Sequence, residues 1–89
     1  MDMIERPVYR VTFRKSNRTY CYYLHVDGVY QSGWYVMSNS GCSRYFLRVS
    51  NRWLIDETYS VVDVECLADA KRRLVTEFNR HMDKVECRL

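Results

Sequence analysis

The chain has 89 residues, 47% of them hydrophobic and 15% aromatic, and a net charge of +3. That length suits one domain spanning residues 1–89 with a single layer of core, and it leaves little room for a deep substrate pocket, so no enzyme is expected. No apolar run is long enough to span a bilayer and the first ten residues are charged and strand-like rather than secretory, which predicts a cytoplasmic protein without membrane contact.

The charge is unevenly placed. Up to residue 52 the acidic residues are Asp2, Glu5 and Asp27, against Arg6, Arg10, Arg14, Lys15, Arg18, Arg44, Arg48 and Arg52. Beyond Asp56 and Glu57, basic and acidic residues balance from Asp63 to the end. The positive excess therefore belongs to the first half of the chain, where it can attract nucleic acid or an acidic protein surface.

Met1 to Arg6 reads as a polar lead-in ended by Pro7. Val8 to Arg14 alternates, with Tyr9, Val11 and Phe13 on one side and Arg10, Thr12 and Arg14 on the other, as a half-buried strand does. Lys15 to Arg18 is a polar turn. Thr19 to Val26 alternates again: Tyr20, Tyr22, Leu24 and Val26 share one face, and Cys21, Tyr23 and His25 share the other. Asp27-Gly28 is the strongest turn signal in the chain.

Val29 to Ser32 either prolongs this hairpin or connects irregularly to Gly33. Trp34 to Ser38 forms a third strand, with Trp34 and Val36 on one side and Tyr35 and Met37 on the other. Ser38 to Ser43 is a small polar loop. A fourth strand, Arg44 to Ser50, directs Tyr45, Leu47 and Val49 to the core and Arg44, Phe46 and Arg48 away from it. Asn51-Arg52 turns into a short fifth strand, Trp53 to Ile55, and Val61-Val62 leads towards a helix.

From Asp63 to about Met82, Leu67, Ala70, Leu74, Phe78 and Met82 recur at helical spacing. Asp63 is expected to cap the first turn, with Glu65 and Asp69 near that end and Arg80, His81 and Lys84 near the other. The outer face carries Lys71, Arg72, Arg73 and Glu77, a balanced solvated pattern. The expected fold is α+β: an antiparallel sheet of four to five strands over about 8–55, packed on one face by a C-terminal helix over about 64–83. The helix row covers Val11, Phe13, Tyr22, Leu24, Trp34, Val36, Leu47 and Val49, with Leu74 central.

The opposite face then carries the candidate binding residues: Arg10, Arg14, Tyr23, His25, Tyr35, Arg44, Phe46 and Arg48, with Met37 among them. Arginines pair with phosphates, and tyrosine and phenylalanine rings stack on unpaired bases or pack on another protein. The leading expectation is nucleic-acid binding through this face. The alternative is an accessory or inhibitory protein-binding module, of the compact kind that viruses and prophages encode. It would act through the same face or as a homodimer, by sheet-to-sheet or edge-strand pairing.

Other chemistry finds no support in the sequence. Cys21, Cys42, Cys66 and Cys87 lie twenty or more residues apart, giving no close ligand pair for a metal, and they read as free thiols. Asp56 and Glu57 are adjacent carboxylates without a second acidic pair, and His25 has no identifiable nucleophile. Ser38 to Gly41 lacks the lysine of a phosphate-binding loop. No cofactor, metal or catalytic residue is expected.

Overall fold

A computed structural model of the chain describes residues 10–16, 20–38 and 44–87. The lead-in to Pro7, the first residues expected in the opening strand, the turn after Ser16 and the small polar loop with Cys42 lie outside these described residues. The elements are β1 (Val11–Lys15), β2 (Cys21–Val26), β3 (Val29–Ser38), β4 (Tyr45–Val49), β5 (Arg52–Trp53), β6 (Asp63–Val64) and α1 (Leu67–Cys87). The strands form one antiparallel sheet in the order β1-β2-β3-β4-β5, and β6 also pairs with β4. The helix packs across one face of this sheet, giving the α+β architecture that the alternation predicts.

Two tight hairpins set the register. Asp27 and Gly28 have φ of 51° and 81°, and Ser50 and Asn51 have φ of 50° and 65°. Each pair closes a two-residue loop, between Val26↔Val29 and Val49↔Arg52 respectively. Positive φ at both central residues is what a type I′ turn requires, and its twist matches that of the flanking strands. The second turn therefore falls on Ser50-Asn51, one residue earlier than the sequence suggests.

Val29 to Ser32 does prolong the hairpin, as part of β3, but with a break in pairing. His25 opposes Tyr30 and Tyr23 opposes Tyr35, so Leu24 alone spans the stretch from Gln31 to Trp34. The extra residues let Tyr30 and Tyr35 pair on the same face as His25 and Tyr23 although they are five positions apart. Gly33 (φ 86°) makes the break sterically possible.

Leu24, Val26, Trp34, Val36 and Leu47 from the sheet meet Ala70, Leu74 and Phe78 from the helix in one buried cluster. Val11, Phe13, Tyr22 and Val49 pack against it, so the expected core row is present in full. Trp34 stands edge-on to Phe78 with ring centres 5.1 Å apart, and His81 lies 5.4 Å away. Burying side chains of this size is the main favourable term for so small a sheet.

The helix starts later than expected. Asp63 does not cap it: Asp63 pairs with Phe46 and Val64 with Tyr45 in β6, and the first helical bond runs from the Ala70 N–H to the Cys66 carbonyl. The pairing with β4 holds Asp63 and Val64 extended, which overrides the local preference of Asp for a cap. No helix among the described residues is long and apolar enough to cross a membrane.

Candidate binding surface on the free sheet face

The sheet face away from the helix is organised by strand register. Arg14 opposes Tyr23, Tyr23 opposes Tyr35, Tyr35 opposes Arg48, and Arg48 opposes Trp53. This is one transverse row crossing five strands. Within it the Tyr23 and Tyr35 ring centres lie 5.5 Å apart and those of Tyr35 and Trp53 6.1 Å apart, so the Tyr35 ring reaches past Arg48. The Arg48 guanidinium sits over the Trp53 ring at 4.9 Å, within cation–π range. Tyr30 extends the aromatic set, edge-on to Tyr23 at 5.3 Å and tilted to His25 at 5.6 Å.

Beside this row lies a shallow apolar depression lined by Met37, Phe46, Trp53 and Val61. Val61 is paired with Ile55, and both are about half exposed, at 45% and 49%. The loop joining them carries Tyr59, which is 85% exposed and held at φ 64°. The Asp56 carboxylate organises this loop by accepting hydrogen bonds from the Thr58 N–H, the Thr58 hydroxyl and the Ser60 N–H. These bonds hold the Asp56 carboxyl below the usual carboxylate pKa, the Thr58 hydroxyl contributing most.

The eight candidate residues are distributed as follows. Tyr23, Tyr35, Phe46 and Arg48 meet in the row and its flanking depression. His25 lies at one margin, its Nδ1 3.1 Å from the Tyr23 carbonyl. Arg10, just before β1, and Arg14, within it, are exposed and line a second shallow hollow with Thr12, Asp27 and Gly28.

Arg44 lies at the opposite margin and is already engaged. Its guanidinium pairs with Asp63 at 3.0 Å and approaches Glu65 at 3.6 Å. Sequence reading missed this neutralisation because it assigned Asp63 to the helix. Trp53 and Tyr30 were also missed as face residues. The first sits in a two-residue strand with no alternation to read, and the second precedes the break at Gly33.

Two further placements differ from expectation. Cys21 shares the free face by alternation yet is only 6% exposed, while Cys66 is exposed; both are free thiols. Lys71 is not a solvated outer-face residue, because its ammonium sits over the rings of Phe13 and Tyr22 at 5.4 and 5.1 Å. The outer-face arginines are paired along the helix: Arg72 with Asp69, and both Arg73 and Arg80 with Glu77. Among the described residues, no group of three or more His, Cys, Asp or Glu side chains converges as metal ligands would.

No protein-family model matches the chain, and neither a curated protein nor a solved structure matches it significantly.

Proposed function

We propose that this chain is a non-enzymatic module that binds another protein through the free face of its sheet. The observation that carries this reading is the continuity of the Tyr23–Tyr35–Arg48–Trp53 row with the apolar depression of Met37, Phe46 and Val61. Trp, Tyr and Arg are the residue types that dominate binding energy at protein interfaces, especially around a pocket that accepts an anchor side chain. Here an aliphatic or aromatic side chain of the partner would enter the depression, and its carboxylates would meet Arg14 and Arg48.

The same geometry weighs against the nucleic-acid reading. A base needs an open ring face on which to stack. The rings of Tyr30, Tyr23, Tyr35 and Trp53 lie against one another and the Arg48 guanidinium overlies Trp53, so a stacking base would compete with these contacts. Asp63 and Glu65 also offset Arg44, so one of the arginines a phosphate could use is already paired.

The test captures partners from the native cell with wild-type chain and with folded Met37→Asp and Trp53→Ala variants, then rebuilds the complex from purified components. A complex of fixed stoichiometry that weakens about tenfold or more in both variants, as loss of a hot spot does, supports the proposal. Salt-titrated binding to single- and double-stranded DNA and RNA runs beside it. Steeply salt-dependent binding that survives Met37→Asp but is lost when Arg10, Arg14 and Arg48 are replaced assigns the face to nucleic acid and overturns it.

A further inference from the structure

Strand β1 is an outer strand of the sheet, and the direction of its backbone groups follows from two bonds. The Asp27 N–H donates to the Arg10 carbonyl and the Ser16 N–H to the Cys21 carbonyl. In an antiparallel ladder, residues alternate between those bonded to the neighbour and those turned away from it. Arg10, Thr12, Arg14 and Ser16 are thus the set facing β2. Val11, Phe13 and Lys15 turn their N–H and C=O groups outward, where no described residue pairs with them.

The helix does not close over this edge. It lies on β3, β4 and β6, leaving between itself and β1 a groove lined by Val11, Phe13, Lys71, Arg72, Val75 and Thr76. Val11, Phe13 and Val75 are only partly buried in the core, so the floor is apolar. The rim is cationic. Lys71 overhangs Phe13, Lys15 ends the strand, and Arg10 and Arg14 project on the other side of the sheet. Among the described residues, the carboxylates nearby are Asp27, which accepts the Arg10 N–H, and Asp69, which is paired with Arg72.

The geometry points to a second docking surface: the β1 edge takes an extended segment of another protein as an added strand, and that segment alternates acidic and apolar residues. Backbone bonds to Val11, Phe13 and Lys15 would supply affinity, as in other cases of strand addition. Period-two alternation would send every second side chain into the Val11–Phe13–Val75 groove and the others towards Arg10 and Arg14. A second copy of this chain is the poorer occupant, because pairing β1 with itself brings Arg10, Arg14 and Lys15 of one copy near those of the other. Like charges facing across strands are destabilising.

This surface borders the free face at Arg14 but has its own backbone edge and groove, and it is tested through those. Isotope-labelled full-length chain is titrated with a short peptide alternating Glu and Val, with a peptide of the same composition in which all Glu precede all Val, and with the alternating peptide N-methylated at every second residue. The expected result has four parts: shifts at the Val11, Phe13 and Lys15 amides, slower hydrogen exchange there, weaker binding at higher salt, and about tenfold loss of affinity in Arg10→Glu. Val75→Asp, which spoils the groove floor without touching the strand, should lose binding while retaining the fold.

Equal binding of the block peptide, or indifference to N-methylation in both alternate registers, would overturn the proposal. So would amides at Val11, Phe13 and Lys15 that are already protected in the free monomer, since the edge would then be occupied. Shifts at those amides that follow protein concentration without peptide would assign the edge to self-pairing instead.

Discussion

Gly33 and Asn51 interlock. The Asn51 N–H donates to the Gly33 carbonyl at 3.1 Å, and a Cβ on Gly33 would sit 2.6 Å from the Asn51 side-chain oxygen. The break in β3 is therefore held by the β4–β5 turn, and that turn is what brings Trp53 into line with Arg48. Gly33→Ala combines a positive φ with this close approach and should cost about 1–3 kcal/mol of stability. Asn51→Gly keeps the left-handed turn and removes the obstructing side chain but not the backbone nitrogen, 2.8 Å from the added Cβ, so the double variant should recover only part of the loss. Urea unfolding of the four proteins measures the coupling, and strictly additive losses would show that the contact is not the cause.

Leu74 is fully buried between helix and sheet, with Leu24, Val36 and Leu47 in the same cluster. Leu74→Ala should leave a cavity and cost about 2–5 kcal/mol, a large share of the stability of a domain this size. The midpoint of chemical denaturation should fall with little change in slope. Leu67 and Met82, at the two ends of the same row, are only partly buried and should cost less when truncated.

Asp63 and Glu65 give the free face an acidic margin beside Arg44. Their ion pairs are largely solvent-exposed, so Asp63→Asn with Glu65→Gln should change stability by no more than about 1 kcal/mol. Electrostatics should respond more: removing two negative charges frees Arg44 and should raise low-salt binding of a single-stranded polyanion. Fluorescence anisotropy against a labelled oligonucleotide reads this. Unchanged weak binding would mean that the margin does not govern access to the face.

The core was legible in the sequence because alternation with one buried face leaves a period-two signal. Val11/Phe13, Tyr22/Leu24 and Leu47/Val49 each carry it, and Leu67 to Met82 carry the helical equivalent. β6 was not legible, because two residues have no period and its pairing with Tyr45 and Phe46 is a long-range choice that local capping chemistry does not foretell. Tyr30 was hidden because the break at Gly33 changes the parity of β3, so alternation read back from Trp34 gives the wrong face. The candidate face was thus identified in its centre, at Tyr23, Tyr35, Phe46 and Arg48. Trp53, which ends the row, Val61, which lines the depression, and Asp63, which pairs with Arg44, were not.

The Tyr59 loop offers a test by acid. Hydrogen bonds from Thr58 and Ser60 favour ionised Asp56 and place its folded-state pKa below the ordinary value of 3.8. A depressed carboxyl contributes stability that is fully present above the unfolded-state pKa and is lost as pH falls through the folded one. The loop should therefore stay ordered through neutral and mildly acidic solution and open only below pH 3.8. In Asp56→Asn it should lose that pH dependence and exchange its Thr58 and Ser60 amides faster at neutral pH, because a neutral amide is a weaker acceptor than a carboxylate. Amide exchange and Tyr59 ring shifts followed by NMR would show both effects. Since Tyr59 sits at φ 64°, a conformation that a bulky side chain adopts only when its surroundings impose it, the ring should gain mobility as these bonds go. If Tyr59 keeps its shifts in Asp56→Asn, backbone pairing between Asp56 and Ser60 alone suffices to hold the loop.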